Sequence, residues 1–470
     1  MAVDLEMYTG KISYREIEFS FVFDKEELRL IPPIEKSREV EMWFMQKLSG
    51  SEAYTLGNPV YIEVPALTGK TNETGQTIIF IPSNRQVGRY NSVLFVPIDA
   101  YIIKKYERPL IDRMTFKNAE LDCIYPVTQA LNWPDWSDDG IVSISTKNFD
   151  DTTTKKQEFV VDGKTVSVQF GITRSTSGKI GQPPLSLHST MMFEFDPTED
   201  YAFLYRLWHI AKSFLQYLCY RKNVYLPLVG LSAPYEGGKH EHFADLHIMH
   251  EAGECEPETL DKERYIKLMH ISGSEGTLLG SIANGTIYLR HLPETYRSGR
   301  SIDAARFVMI TAAFEWEFRL HYPDGVRKKE STLAAEKAAA TALEELFQKS
   351  TGKLRNKYRY LKKRIKDDPM QSEIEQVGTD FGEIIDRLGM HLYSLNKEKL
   401  VYTEMGKRLG DQRNHFAHGD LDQEFIDLSL LDLIYLEYIV YALQLKKHGV
   451  ENLNIQKAIN ELFRCGMPIQ

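Results

Sequence analysis

The residue types best suited to chemistry lie together near the C-terminal end of the chain. Residues 413–418 read Arg-Asn-His-Phe-Ala-His, and Gly419 follows them. Arginine clamps phosphate through a rigid fork of donors, and histidine exchanges protons near neutral pH. A permanent cation, a carboxamide and two imidazoles within two turns of chain therefore indicate phosphodiester chemistry without a metal.

The context of this segment distinguishes it from a chance match. The chain contains a second, similar pair, Arg264 and His270, six residues apart. Asn414 and His418 are four residues apart and share one face of a helix. We expect the helix to end at His418, because Gly419 is a typical residue just beyond a helix C-terminus. The segment around Arg264 is predicted to lie outside the helical domain and lacks the adjacent carboxamide.

The composition is that of an ordinary globular protein. The chain has 470 residues, of which 43% are apolar and 26% charged, enough for two or three domains. The N-terminal residues predict no signal peptide, and no apolar run approaches the roughly 18 residues of a membrane span. The four cysteines form no CxxC pair and are predicted to be reduced. We therefore expect a cytoplasmic protein that does not enter a membrane.

The charge is unevenly distributed. The net charge of −9 argues against a general nucleic-acid coat. Residues 301–470 carry 25 basic against 26 acidic side chains, or about −1, which leaves about −8 for residues 1–300.

One strongly basic stretch stands out in the C-terminal part. It contains Lys353, Arg355, Lys357, Arg359, Lys362, Lys363, Arg364 and Lys366. Tyr358 and Tyr360 lie within it, and basic side chains interleaved with aromatic ones suit RNA. A solvated helix face is the alternative interpretation.

The first 298 residues are predicted to form a β-rich domain. Short strand-like runs are bounded by Gly, Pro, Ser and Asn, for example at 77–81 and 92–96. Asp162-Gly163-Lys164 between two such runs predicts a hairpin. The polar segment 150–156 is predicted to be an exposed loop. Apolar residues at helical spacing predict one helix near 199–220.

From about residue 299 the pattern becomes helical. Segment 295–300 is the candidate boundary, and Ser301 is a candidate N-cap for the first helix. The predicted helices span 302–320, 332–348, 354–365, 373–388, 397–418, 425–447 and 455–463. The expected fold class is therefore α+β multidomain, with a β-rich domain at 1–298 and an all-α domain at 299–470.

The motif and its setting resemble a known family. Arg413, Asn414 and His418 match the Arg-(Asn/Asp/His)-x-x-x-His signature of HEPN domains, which are all-α bundles found in many prokaryotic ribonucleases and toxins. The resemblance covers about residues 301–470. A β-rich region followed by a helical domain with an Arg-Asn-x-x-Ala-His-Gly core also looks like the ApeA type of anti-phage HEPN protein.

The resemblance implies a metal-independent endoribonuclease with no cofactor. The 2′-OH of the RNA would attack the adjacent phosphate and leave a 2′,3′-cyclic phosphate and a 5′-OH. His418 would act as general base or acid, Arg413 would hold the phosphate, and Asn414 would orient the histidine or bind phosphate. HEPN ribonucleases usually act as homodimers, so each site would be composite, and the implied substrate is the anticodon loop of tRNA.

Three further residues are auxiliary candidates. His415 is either a second proton carrier or a residue of the helix surface. Glu315 or Glu317, on the first predicted helix of the domain, could orient His418 as a carboxylate partner. The alternative for both acids is a solvated helix face.

The remaining motifs give weaker indications of function. His240, His242, His247 and His250, with Cys255 nearby, are weak candidates for a metal site, but their spacing matches no zinc motif. Polar residues around a β-hairpin are the alternative. The chain has no GxxxxGK[ST] loop, which disfavours ATP hydrolysis.

The sequence is compatible with two functions. The first is an endoribonuclease of an anti-phage abortive-infection response, whose N-terminal domain would act as a sensor or brake that responds to a phage-encoded protein. The second is a non-catalytic HEPN protein that binds RNA or dimerises, in which the motif would be structural.

Overall fold

The computed structural model describes residues 5–44, 46–47, 54–55, 63–83, 87–132, 145–249, 251, 253–256, 260, 262–365, 368–417, 419 and 424–469. The chain divides into two compact units. Unit 1 contains residues 1–218, 222–261 and 275–284, and unit 2 contains residues 219–221, 262–274 and 285–470. The sequence predicts instead a single boundary between residues 298 and 299.

Unit 1 is built on an antiparallel β-sheet. The strands of the described residues are, in chain order, β1 (Tyr8–Tyr14), β2 (Ile17–Phe23), β3 (Leu28–Ile31), β4 (Gln46–Lys47), β5 (Tyr54–Thr55), β6 (Leu67–Thr71), β7 (Thr77–Pro82), β8 (Gly88–Tyr90), β9 (Val93–Val96), β10 (Ile98–Lys104), β11 (Ile111–Phe116), β12 (Leu131–Asn132), β13 (Ser145–Thr146), β14 (Gln157–Val161), β15 (Lys164–Thr176), β16 (Leu185–Thr198), β17 (Leu228–Tyr235) and β18 (Lys239–Ile248). Fourteen of these described strands form one sheet, in the order β14-β15-β16-β11-β17-β18-β10-β7-β6-β1-β2-β3-β9-β8. The very short strands β4 and β5 form a separate pair, as do β12 and β13.

Tight turns explain how the local sequence folds into this sheet. The hairpin predicted at Asp162-Gly163-Lys164 is confirmed, but Lys164 already belongs to β15. Asp162 and Gly163 have positive φ, at 52° and 77°, and join β14 to β15. Positive φ at both central residues is the geometry that matches the twist of the paired strands. Arg15 and Glu16 also have positive φ, at 48° and 64°, and join β1 to β2. Sequence reasoning missed that turn, because neither residue is Gly, Asn or Asp.

Helices cover part of this sheet. They are α1 (Ser37–Met42), α2 (Ala119–Ile124), α3 (Tyr201–Cys219) and α4 (Glu275–Ala283). The helix predicted near 199–220 is confirmed as α3, which buries the apolar side chains that recur along it, including Leu204 and Leu215. Helix α4 was not predicted. It packs on β14 so closely that a Cβ on Gly276 would lie 2.6 Å from the carbonyl oxygen of Glu158.

The predicted exposed loop at 150–156 is partly wrong. Asp150–Thr152 forms a 3-10 turn, and Thr152 is buried. Its hydroxyl donates to the carbonyl of Phe149 at 2.8 Å. A polar segment can therefore be buried where its own backbone satisfies its side chains.

Unit 2 is helical. Its longer described helices are α5 (Ala304–His321), α6 (Glu330–Lys349), α7 (Gly352–Arg364), α8 (Met370–Leu395), α9 (Tyr402–Ala417), α10 (Ser429–Lys447) and α11 (Asn452–Phe463). Each predicted helix is present, with ends that differ by up to seven residues: the helix predicted to end at residue 388 continues to Leu395. The predicted N-cap is wrong, since the carboxylate of Asp303, not Ser301, accepts a hydrogen bond from the Arg306 amide at 2.8 Å.

The core of unit 2 forms around α10. Nearly every residue from Leu433 to Leu445 is buried. The fully buried carboxylate of Asp432 binds the guanidinium of Arg408 at 2.6 Å and 2.9 Å, which joins α10 to α9. Helices α9 and α8 approach closely, because a Cβ on Gly406 would lie only 2.5 Å from the Cα of Gln371. This close approach places the start of α8 beside the middle of α9, where a Cβ on Gly410 would lie 3.9 Å from Cβ of Met370.

The second Arg–His pair lies in an unexpected place. Residues 262–274 belong to unit 2, so the prediction that Arg264 and His270 lie outside the helical part is wrong. His270 is buried, and its Nε2 lies 3.1 Å from a carboxylate oxygen of Glu461. The guanidinium of Arg264 lies over the ring of Tyr296. Both side chains have structural contacts that the spacing did not reveal.

Candidate active site

The motif occupies the last turn of α9, which neighbouring side chains hold in place. Gln412 is fully buried, and its Oε1 accepts from the amide of Ile426 at 2.7 Å. Phe416 packs against Phe307 and Phe425, with ring centroids 5.4 Å and 5.7 Å apart. These contacts tie the end of α9 to α5 and to the segment before α10.

The motif residues differ in exposure. Arg413 and His415 are half-buried and Asn414 is exposed. Helix α9 ends at Ala417, and Gly419 beyond it has a φ of 95°. Its amide donates to the carbonyl of Phe416 at 3.2 Å. Glycine adopts this conformation readily, as expected just after a helix. His418 lies outside the described residues.

Arg413 is held by Glu315 of α5. Its Nη1 lies 3.0 Å from Oε1 of Glu315, and its Nη2 donates to Oε2 at 3.1 Å. This two-pronged pairing is the strong geometry for a guanidinium and a carboxylate. Arg319, one helical turn further along α5, places its Nη2 3.7 Å from the same carboxylate. Glu315 therefore lies between two cations.

Arg413 and Glu315 line a cavity of about 710 Å³. Its walls come from α5, from the turn after α5, and from the starts of α6 and α8. The lining residues are Glu315, Phe318, Arg319, Tyr322, Pro323, Asp324, Gly325, Val326, Lys328, Leu333, Glu336, Asp368, Glu373 and Arg413. This volume lies in the range of small-molecule sites.

Lys328 organises one side of this cavity. Its Nζ lies 2.7 Å from Glu336 and 2.7 Å from Asp368. The hydrogen bond to Asp368, followed by that to Glu336, raises the pKa of Lys328. The other oxygen of Asp368 accepts from the amide of Val326 at 2.9 Å. These contacts fix the turn between α5 and α6, so that wall of the cavity is preformed.

Glu373 lies on another wall, and sequence reasoning missed it. Burial raises its pKa to about 7, with a further contribution from the charge of Glu315. A carboxyl group with a pKa near neutrality can exchange protons under physiological conditions. The signal was present in the sequence: Glu373 follows Met370 by three residues and precedes Val377 by four. It therefore falls within the apolar stripe of α8, where a carboxylate is unusual.

Glu317 takes a different place from Glu315. It is fully buried, and its Oε1 accepts from Nε2 of Gln444 on α10 at 3.0 Å and from the amide of Tyr288 at 3.3 Å. Burial raises its pKa. The alternative of a solvated helix face is therefore wrong for Glu317. It is also wrong for Glu315, whose side chain is 16% exposed.

The basic stretch forms α7, which pairs with α6. Lys353, Arg355, Lys357, Arg359 and Lys362 are exposed along it, while Lys363 and Arg364 belong to the same helix. The guanidinium carbons of Arg355 and Arg359 lie 4.6 Å and 5.7 Å from the ring centre of Phe347 on α6. Lys362 forms an ion pair with Glu344 of α6. Lys366 lies outside the described residues.

Among the described residues, the three candidate histidines of unit 1 have separate partners. Nδ1 of His240 lies 2.9 Å from Asp112, Nε2 of His242 lies 2.8 Å from Asp245, and the ring of His247 stacks on Tyr101.

His250 lies outside the described residues. Across the rest of the described chain, no three or more His, Cys, Asp or Glu side chains form a group that could hold a metal ion. Among the described helices, none is long and apolar enough to cross a membrane.

Comparisons with known proteins found no matching family model, no matching curated protein and no matching solved structure.

Proposed function

We propose that this protein is a metal-independent endoribonuclease of the HEPN class that acts in an anti-phage abortive-infection response. The observation that carries the proposal is the position of Arg413. It lies in the last turn of α9, its guanidinium is 36% exposed, and it lines an open cavity. Asn414 and His415 follow it on the same helix end.

The chemistry follows from the residue types. A guanidinium can bind the scissile phosphate and stabilise the charge that develops on it. His418 would take the proton from the attacking 2′-OH or give one to the leaving 5′ oxygen. For Arg413 to bind phosphate, its pairing with Glu315 must be exchanged for pairing with the substrate. The observed conformation would then be a resting state.

The proposed substrate is RNA with an exposed single-stranded loop, such as the anticodon loop of tRNA. In-line attack by a 2′-OH needs a splayed backbone, which a duplex does not provide. The exposed basic side chains of α7 belong to the same unit as the motif and would contact the phosphates. The proposed active form is a homodimer with composite sites. Unit 1 would sense a phage-encoded protein.

The second candidate is a non-catalytic HEPN protein that binds RNA or dimerises. One observation favours it: Arg413 already has a two-pronged carboxylate partner in Glu315. A guanidinium satisfied in this way can act as a structural link between α9 and α5. RNA binding without cleavage distinguishes this candidate from the first.

The test is cleavage of tRNA by the purified full-length chain in the presence of a metal chelator, with sequencing of the RNA ends. We expect 2′,3′-cyclic phosphate ends from the wild type. Arg413→Ala should slow cleavage by about 10²-fold or more, since a donor to the developing charge is lost. His418→Ala should slow it by about 10²- to 10⁴-fold, the usual contribution of a positioned proton carrier.

Two variants serve as controls. Lys407→Ala removes an exposed cation from the same helix and should leave the rate unchanged. Arg413→Lys keeps the positive charge but loses the paired donors of the guanidinium, so its cleavage rate should stay below that of the wild type. Absence of cyclic ends both with the purified wild type and in phage-infected cells that express it, or equal rates for all variants, would refute the ribonuclease and leave the binding protein.

A further inference from the structure

The cavity beside Arg413 has more carboxyl groups than cations. Its ionisable lining comprises Arg319, Lys328 and Arg413 against Glu315, Asp324, Glu336, Asp368 and Glu373. Arg413 pairs with Glu315, and Lys328 pairs with Glu336 and Asp368. Asp324 and Glu373 form no hydrogen bond or ion pair through their side chains with any other described residue.

Glu373 is the group that most needs a partner. It is only 8% exposed, yet its side chain lines the cavity. A buried carboxylate is costly unless it is paired and hydrogen-bonded. The nearby charges of Arg319 and Arg413 offset part of this cost, whereas those of Glu315 and Asp368 add to it. A group that binds Glu373 in this cavity would therefore be a cation or a hydrogen-bond donor.

We propose that this cavity binds a small organic dication of the diamine or polyamine class. One ammonium group would pair with Glu373 inside the cavity, and the other with Asp324, which is exposed on the turn after α5. An ammonium group has three donors and no acceptor, which suits a carboxylate that lacks donors. Two positive charges would also balance the two unpaired carboxylates.

A metal ion fits this cavity less well. Such an ion needs several ligands that converge on one point, and the described side chains contain no such group. A dication with separated charges does not need convergence. The cavity volume of about 710 Å³ leaves room for a flexible aliphatic chain.

The experiment is calorimetric titration of the full-length protein, free of RNA, with putrescine. We expect one putrescine to bind per chain, and the singly charged butylamine to bind more weakly. Glu373→Gln should weaken putrescine binding about tenfold or more, the size of a hydrogen bond between charged groups. Asp324→Asn, at an exposed turn position, should weaken it without affecting folding.

Glu375→Gln is the matched control, since Glu375 lies on the same helix but does not line the cavity. Its binding should equal that of the wild type. The inference would be overturned if the wild type did not bind putrescine, or if Glu373→Gln bound it as tightly as the wild type. It would also be overturned if Mg²⁺, at constant ionic strength, displaced bound putrescine as effectively as an equal concentration of free putrescine does.

Binding should also tighten from pH 6 to pH 8, because Glu373 becomes ionised over this range while aliphatic amines stay protonated. The charged groups that act on Glu373 are Glu315 and Arg319 of α5, Asp368 before α8, and Arg413 of α9. Glu373→Gln should lose most of this pH dependence. Binding of the dication does not depend on ribonuclease activity, so failure of either proposal leaves the other standing.

Discussion

Folding makes the ionisation of Glu373 less favourable than it is in the unfolded chain. Burial, with the charge of Glu315 as the next contribution, raises its pKa from 4.5 to about 7. The folded protein therefore holds this proton more tightly than the unfolded chain. The associated stability is fully present below pH 4.5 and is lost as the pH rises to about 7. A ligand-free carboxylate at this position destabilises the fold at neutral pH.

This gives a prediction for stability against pH. Glu373→Gln cannot ionise, so its free energy of unfolding should rise relative to that of the wild type between pH 5 and pH 8. The expected difference is about 3 kcal/mol, since each pKa unit corresponds to roughly 1.4 kcal/mol. Urea unfolding of both proteins at the two pH values measures it. The free energy of unfolding of Glu375→Gln should change with pH as that of the wild type does. The same pH dependence for Glu373→Gln would contradict the prediction.

At the same scale, the pairing of Arg413 with Glu315 links two residues 98 positions apart. The sequence predicts that Arg413 binds phosphate and that Glu315 is an auxiliary acid. It does not indicate that they contact each other, because that contact depends on how α5 and α9 pack.

At the scale of elements, α7 is the helix that we propose contacts RNA. Its described residues Lys353, Arg355, Lys357, Arg359 and Lys362 are exposed, and it contains no acidic residue. Helix α6, its neighbour in the chain, buries no residue fully. The pair of helices therefore presents basic side chains without burying them in the core.

The corresponding prediction concerns the salt dependence of RNA binding. Replacing Lys353, Arg355 and Lys357 by Gln should weaken binding of a labelled single-stranded RNA. It should also reduce the slope of log affinity against log salt by about 2, at roughly 0.7 per phosphate contact. Fluorescence anisotropy at several salt concentrations measures both quantities.

The matched control for this experiment lies on α6. Lys337 and Lys349 are exposed there, and their replacement by Gln should leave the slope unchanged. An unchanged slope for the α7 variant would show that these cations do not contact the phosphates.

Prediction of the elements succeeded where local chemistry decides. Asp162-Gly163 specified its hairpin, and the apolar spacing specified α3 and the helices of unit 2. The failures have physical causes: Arg15 and Glu16 form a turn whose conformation is unusual for their residue types. Asp303 caps α5 because its carboxylate lies within reach of the Arg306 amide.

For the whole molecule, the units are not continuous in sequence. Residues 219–221 and 262–274 belong to unit 2, although unit 1 contains the intervening segment 222–261. A change from a strand-like to a helical sequence pattern marks a domain boundary only where the chain passes once from one unit to the other. Removal of unit 1 by truncation at a single point would therefore also remove parts of unit 2.

The proposed homodimer can be tested by mixing two inactive variants. If Arg413 of one chain and His418 of the other form one site, then Arg413→Ala mixed with His418→Ala contains one intact site per heterodimer. We expect co-expression to recover about a quarter of the cleavage rate, because random pairing makes about half of the dimers heterodimers and each has one intact site of two. The measurement is tRNA cleavage after co-expression, with each variant alone as control. A mixture as inactive as its components would place both residues of a site on one chain.

The sequence by itself determined the fold class, the helices and the motif. Helix spacing, turn residues and side-chain chemistry act over a few positions, so they can be read without a structure. The prediction that Arg413 binds phosphate is of this kind, as is the basic character of α7.

Only the tertiary structure decided what surrounds the motif. Glu315 and Glu317 are two residues apart and so lie on opposite sides of α5. The sequence does not say which side faces α10. Packing places Glu317 against Gln444 and turns Glu315 toward Arg413 and the cavity. It also places Glu373 beside them, since the close contact of α8 and α9 at Gly406 is a property of two helices and not of either segment alone.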